Sequence, residues 1–397
     1  MCRRVSGLLA AVTSLLMLAG IVWGGVASAR PAYPIPDPDP FYSEPADLAA
    51  LSPGDVVRVQ RVDTRAYADS EGWQIAFRST NSHGAPILGV TTVLVPRGVS
   101  QPPILSYQAI VNALGSRCAP SRGLFNLEQV EAPGLLIPLS RGWAVSVPDH
   151  LGPEGAYGAA RLGGMITLDS IRAVKQAAEL GLADAPVALA GYSGGGMASA
   201  WAAAMAPEYA PELAIAGVVQ GGIPADLEQM ANIIGSDAHP GFGLGFAAAI
   251  GLEREYPDRF QMERELNPQG RWLRDFISNE CRRFILFHGA FRSARDLTNS
   301  PGWMSNGEAR EVLRENSLRY FAGVPNMPIY MWHGRLDPLT PYDGIEEIAQ
   351  RYCAQGVQLQ FVTHDIAEHL IPAALGFEEA YEYLAARFRG EAAPSNC

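Results

Sequence analysis

Apolar and polar residues alternate with a period of two along 56–62 and 72–78, and the run 87–95 (I-L-G-V-T-T-V-L-V) is dense in β-branched residues. These patterns predict strands, because successive side chains of a strand face opposite sides and branched ones fit a pleated surface. The turn-forming cluster Asn81-Ser82-His83-Gly84 separates the second run from the third, so antiparallel strands should open a mixed sheet. Beyond it, short apolar runs at 104–109, 143–147, 187–190, 215–219, 328–332 and 357–363 alternate with longer segments. Residues 168–180 place Leu168, Ile171, Val174 and Ala178 at helical spacing, and 377–388 repeat Phe377, Tyr381, Leu384 and Phe388 on one face. Such alternation argues for an α/β fold whose mostly parallel sheet is covered by helices on both faces.

The alternation stops between 223 and 324. Helical period appears there around 225–234, 246–254 and 308–320, and the short apolar run 284–287 is the one candidate strand. A structureless loop of that length is uncommon in a sheet domain, so a helical cap is expected over 223–324. It interrupts an α/β domain made of 54–222 and 325–397. Phe242, Leu244, Phe246 and Ile250 cluster among glycines in this stretch, which suits either the cap's own core or the wall of a mobile acyl-binding lid.

The amino end follows other rules. Arg3 and Arg4 precede an apolar run, 8–26, and then Ala27-Ser28-Ala29, which predicts a cleaved secretion signal over 1–29. The rival is an uncleaved membrane anchor, since the run is long enough to span. Residues 30–53 carry Pro31, Pro34, Pro36, Pro38, Pro40 and Pro45 without apolar period, and predict an extended arm on the domain surface. Cleavage would remove Cys2 and leave Cys118, Cys281, Cys353 and Cys397. Four cysteines in an exported chain suggest two disulfides, with three connectivities open, against the alternative of free buried thiols.

With 48% hydrophobic and 18% charged residues, the 397-residue chain can bury a large core. Its formal charge of -11 argues against nucleic acid and against anionic lipid surfaces as principal partners, and leaves a neutral lipid substrate open.

The candidate chemistry centres on Gly191-Tyr192-Ser193-Gly194-Gly195, between the apolar run 187–190 and the alanine-rich run 197–206. A strand, a sharp turn and a helix would expose the Ser193 hydroxyl at the apex of a G-x-S-x-G elbow, with the Gly194 N–H beside it. A serine needs a histidine to take its proton and a carboxylate to hold that histidine, in the order serine, acid, histidine. Asp337 is the only carboxylate in the loop after 328–332 before Tyr342, although Asp337-Pro338 also suits a plain turn cap. The base must be His364, at a strand end, or His369, five residues on. Loop reach favours His369. A zinc site on these two is disfavoured, because that spacing puts imidazoles on different faces of a helix. The second oxyanion donor should lie in 109–112, since one is Gly194. No dinucleotide or phosphate-loop fingerprint is present, so no cofactor is expected.

With these residues in place, the chain from about 73 to 397 resembles the secretory lipase family of yeasts and actinobacteria, the lipase A-like α/β-hydrolases. The resemblance rests on Phe77-Arg78-Ser79-Thr80, Ser106-Tyr107-Gln108, Cys118-Ala119-Pro120-Ser121, Pro148-Asp149-His150-Leu151-Gly152-Pro153, Leu168-Asp169-Ser170-Ile171-Arg172-Ala173, the elbow, Ala206-Pro207-Glu208-Tyr209-Ala210, Asp337, and Glu368-His369-Leu370. It implies an α/β-hydrolase fold with an inserted helical cap, secretion, and hydrolysis of carboxylic esters, typically acylglycerols, by Ser193, Asp337 and His369. It also implies the pairings Cys118 with Cys281 and Cys353 with Cys397. Where the family usually has an acidic residue beside the oxyanion site, the matching position here is Asn112, unless the alignment slips. A serine peptidase on the same fold and a catalytically retired binding protein are the competing readings. A monomer that meets a lipid or small-ester substrate, with transient contact at a lipid interface, is the expectation on partners.

Overall fold

The computed structural model describes residues 34–67, 69–126 and 128–397. The expected secretion signal and residues 30–33 lie outside them. Nine strands form one sheet: β1 (Val56–Val62), β2 (Ser70–Thr80), β3 (Pro86–Pro96), β4 (Ile104–Gln108), β5 (Ala144–Pro148), β6 (Val187–Tyr192), β7 (Ile215–Gly221), β8 (Ile329–Gly334) and β9 (Leu359–His364). Their order is β1-β2-β3-β5-β4-β6-β7-β8-β9. Pairing is antiparallel from β1 to β3 and between β3 and β5, then parallel from β5 through β4 to β9. The turn between β2 and β3 is closed by Asn81, whose side chain accepts the N–H groups of His83 and Ala85, with Gly84 at φ +83°.

The central strands β4, β5 and β6 are buried along their whole length. Period two then sorts β6 between two cores. Val187 and Leu189 meet Leu168, Ile171 and Trp201 from the helices Ala160–Gln176 and Gly194–Tyr209. Ala188, Ala190 and Tyr192 meet Tyr381 and Leu384 from the helix Leu370–Phe388 on the opposite face. The first and last of these helices start before the predicted 168 and 377. In the former, Gly163 and Gly164 hide the period: a Cβ on Gly164 would come 3.0 Å from Trp201, so small residues let the two helices touch.

Between β7 and β8 stand helices alone apart from short bridges, among them Leu227–Ser236, Phe242–Glu255, Pro268–Ile277, Arg282–Gly289 and Gly307–Glu315. The candidate strand 284–287 is corrected here, because it lies inside Arg282–Gly289. Ile285 is fully buried whereas Phe284 and Phe287 are exposed, a helical rather than an alternating pattern that four residues are too few to distinguish. This helix crosses Phe242–Glu255 where a Cβ on Gly289 would lie 2.2 Å from the Gly243 Cα. Only glycine permits that approach.

The described part of the proline-rich arm is docked. Its turns Pro40–Tyr42 and Leu48–Ala50 bury Phe41 and Leu48 against Ala76, Leu88 and Val90, and Arg122 reaches Asp37 and Asp39. Two disulfides form, Cys118–Cys281 and Cys353–Cys397, the pairing the family resemblance implies. The first ties the loop after β4 to the start of the helix Arg282–Gly289. Among the described residues, no helix is long and apolar enough to cross a membrane.

Candidate active site

The elbow is built from steric necessity. Ser193 follows β6 directly, at φ +53°, ψ −122°, a backbone strain that its surroundings hold in place: its N–H donates to the Gly221 carbonyl at 2.9 Å and its carbonyl accepts the Met197 N–H at 2.8 Å. A Cβ on Gly191 would sit 2.3 Å from the Gly195 carbonyl oxygen, and one on Gly195 would sit 1.9 Å from the Gln108 carbonyl oxygen. Both glycines are therefore required, one for the turn and one for contact between the helix and β4. Gly194, first residue of that helix, has no intrahelical acceptor for its N–H.

His369 Nε2 lies 2.9 Å from Ser193 Oγ, and His369 Nδ1 lies 2.6 Å from Asp337 Oδ2. The order serine, acid, histidine thus becomes a continuous hydrogen-bonded line. The Tyr192 hydroxyl holds the histidine from below, donating to the His369 carbonyl at 2.6 Å, and the Glu368 carboxylate accepts the N–H groups of Leu370 and Ile371 at the start of the following helix. Gly334 brings the acid loop onto this loop: a Cβ there would lie 2.5 Å from the Ala367 carbonyl oxygen. His364 stays at the end of β9, its buried Nε2 without a hydrogen-bond partner among the described residues.

Asp337 makes the bonds of a turn cap and also faces His369. Oδ1 caps the turn, accepting the N–H groups of Leu339 and Thr340 at 2.9 Å each, while Oδ2 accepts the Thr340 hydroxyl at 2.6 Å and faces His369. Burial by itself would raise this carboxyl, but the hydrogen bonds from His369 and Thr340 outweigh it and hold it below the ordinary carboxylate value. It stays ionised across the neutral range. Thr340 in turn accepts at its carbonyl from His333 Nε2 at 2.8 Å. His333 is fully buried, and burial lowers its pKa.

Across the cavity mouth, Asn112 has φ +49°, a left-handed conformation that asparagine tolerates better than most residues. The Tyr157 hydroxyl donates to its side-chain oxygen at 2.9 Å, its amide NH₂ has no hydrogen-bond partner among the described residues, and a Cβ on Gly194 would lie 3.8 Å from that oxygen. Burial raises the Tyr157 pKa, which keeps the hydroxyl a donor. Beneath the same loop Glu131 accepts the Tyr107 hydroxyl at 2.5 Å, the Gln129 amide at 3.0 Å and the Ile110 N–H. Burial pushes Glu131 up to about 7 against these bonds. Sequence reading missed Thr340, Tyr157, Glu131 and His333. Only Thr340 had a local signal, since Asp-Pro-Leu-Thr is an Asx-type turn that supplies its own donors.

Ser193, Gly194, Asn112 and His369 open onto a cavity of about 680 Å³. Its far wall comes from the helices between β7 and β8, with Leu227, Met230, Phe242, Leu244, Phe246 and Leu252. Ile250, grouped with these in the sequence, is buried in the core instead.

The chain as a whole has known relatives. The family described as Secretory lipase matches residues 125–396. The chain belongs to the secretory lipase family. Lipase A of Moesziomyces aphidis is 30% identical over 98% of this chain and 87% of its own length. A Mycobacterium tuberculosis protein called a probable inactive lipase is 33% identical over 90% of this chain and 83% of its own length. The solved closed state of Candida antarctica lipase A superposes with a TM-score of 0.83 at 29% identity, covering 91% of this chain and 89% of that one. The secretory lipase fold is thus an α/β-hydrolase sheet with helices, as the resemblance implied.

Proposed function

We propose that this secretory lipase homologue is a secreted serine hydrolase that cleaves carboxylic esters of lipids, acylglycerols above all, through an acyl-enzyme on Ser193. The observation that carries the reading is the line from Asp337 through His369 to Ser193 Oγ, ending at an apolar cavity. His369 Nε2 takes the Ser193 proton as Oγ attacks the ester carbonyl carbon, and the ionised Asp337 stabilises the imidazolium. The carbonyl oxygen, now an anion, draws hydrogen bonds from the Gly194 N–H and the Asn112 side-chain amide. Collapse expels the alcohol, which leaves with the proton from His369. Water then enters by the same route and releases the acid. Asparagine donates without needing a bound proton, so this oxyanion site does not depend on keeping a carboxyl neutral.

The cavity's apolar wall favours acyl chains over peptide, whose backbone would need polar partners there. Helices of the segment 223–324 serve as the cap over Ser193, so Phe242, Leu244 and Phe246 meet the acyl chain. The name of the mycobacterial relative keeps the retired-scaffold reading in play, and the 2.9 Å contact between His369 and Ser193 argues against it. A fluorophosphonate probe tests both: it should label the wild type at Ser193 and spare the Ser193→Ala protein. Emulsified triacylglycerol and soluble short esters should both release acid. Absence of labelling, or turnover of amides alone, would overturn the assignment.

A further inference from the structure

Fifteen consecutive residues, 281–295, contain Arg282, Arg283, Arg292, Arg295 and His288 and no acidic residue, in a chain whose formal charge is -11. The helix Arg282–Gly289 divides these residues among three directions. Ile285 and Gly289 pack inward against Gly243, Arg282 and Leu286 line the cavity, and Phe284 and Phe287 point to solvent. Phe287 is 79% exposed and Phe291, just beyond the helix end at φ +58°, is 70% exposed. Trp272 and Phe276 of the neighbouring helix Pro268–Ile277 extend the face, stacked on each other with ring centroids 5.2 Å apart. His288 sits among them, 4.5 Å from Phe276, 5.1 Å from Phe287 and 6.4 Å from Phe284. Arg283 is exposed with no hydrogen-bond or ion-pair partner among the described residues. Five outward aromatics gathered in one patch are costly in water, and water-facing proteins seldom keep such a patch unless it meets something.

We propose that this face docks onto an anionic lipid surface, a phospholipid bilayer or its equivalent at the edge of a lipid droplet. The aromatics enter the headgroup boundary, where an indole or a phenyl ring gains by leaving water, and the arginines pair with lipid phosphates. Two features select this occupant. Arg283 has no partner and Arg292 bonds only to the His288 carbonyl at 2.9 Å, so among the described residues two cations beside the aromatics lack a carboxylate, while Arg295 reaches Asp237 at 3.9 Å; this balance suits a negatively charged surface rather than a neutral one. The same helix lines the cavity with Arg282 and Leu286, so a docked face sets the substrate entrance against the lipid. The loop of His369 also exposes Ile366 and Leu370, but Asp365 and Glu368 flank them there, so the charge preference comes from the helical side alone. The overall charge of -11 opposes an anionic surface elsewhere on the molecule, so docking would be confined to this face. The inference rests on reading the cavity as the acyl site, but its test reads vesicle binding, with turnover only as a control.

Full-length Ser193→Ala protein is mixed with vesicles of phosphatidylcholine alone or of phosphatidylcholine with phosphatidylglycerol, and the bound fraction is read by sedimentation. Binding should favour the anionic vesicles and weaken with salt. Arg283→Glu should lower anionic-vesicle affinity by roughly tenfold and leave neutral binding unchanged. Phe287→Ser should lower both. Neither residue lines the cavity, so hydrolysis of a soluble short ester by otherwise wild-type protein should be unchanged in each. Equal binding to both vesicle types, or affinity indifferent to both substitutions, would overturn the proposal. So would a concentration-dependent dimer abolished by Phe287→Ser, which would assign the face to a second copy of the chain. Loss of ester hydrolysis with vesicle binding intact would instead remove the proposed function and leave the surface standing.

Discussion

At the Ser193 end of the cavity the polar groups are held by named directional bonds: Asp337 takes donors from Leu339, Thr340 and His369, Tyr192 fixes His369 by its carbonyl, and Tyr157 orients Asn112. The opposite wall, from Leu227 to Leu252, is made of aliphatic and aromatic side chains whose contacts have no required angle. Hydrogen bonds fix atoms within tenths of an ångström, and chemistry needs that accuracy. Apolar packing tolerates exchange, and a lipid substrate varies chiefly in the length of its chain. Substitutions at the floor should therefore lower turnover for every substrate, and substitutions in the wall should change which substrates are taken.

Ser193→Ala gives the largest expected effect, roughly 10⁴-fold or more in kcat with folding intact, because triad members act as a unit. His369→Ala should match it, whereas His364→Ala should cost little. Steady-state kinetics on one soluble ester suffices. Equal losses for the two histidines would break the assignment of the floor.

Leu244→Asp tests the wall. A carboxylate in that apolar lining should reduce hydrolysis of long-chain esters by roughly tenfold or more and spare acetate or butyrate esters, whose short acyl groups bury little of it. Equal losses on both would make Leu244 an ordinary packing residue.

Thr340→Val keeps the shape and removes the hydroxyl that reaches Asp337 Oδ2. About tenfold in kcat/KM is expected, the worth of a hydrogen bond to a charged group, with Thr340→Ser restoring activity. The sign on pH follows from the bonds: a lost donor lets the Asp337 pKa rise, so the acidic limb of the pH profile should move to higher pH. An unchanged limb would mean that the backbone N–H groups suffice.

The smallest effect concerns stability. Buried Asp149 and Glu131 are each pushed up to about 7, from ordinary values of 3.8 and 4.5. In the unfolded chain they ionise first, so the folded state binds more protons across that window and stability should decline as pH rises through it. Asp149→Asn should flatten the decline of the thermal midpoint between about pH 5 and 7 relative to wild type. A midpoint rising through that window in wild type would show that other groups dominate.

The sequence by itself pointed to the alternating strands, the sharp turn at Ser193, and Asp337 and His369 as the side chains that would come to it, because each depends on local periodicity, a turn or a fixed chain order; the structure brings these three side chains together. The sequence could not separate the strand and helix readings of 284–287, since a run of four apolar residues satisfies both until neighbours decide which side chains are buried. Tertiary structure alone brought Tyr157 to Asn112 and Glu131 beneath Ile110, contacts across 45 and 21 positions that leave no mark on local pattern. It also sent Leu244 into the cavity and Ile250 into the core although both sit in one apolar cluster, because the close glycine crossing of two helices sets which way their faces turn. Hydrophobic pattern says that a residue leaves water; only the packing of distant segments says whether it meets a core, a substrate or a surface.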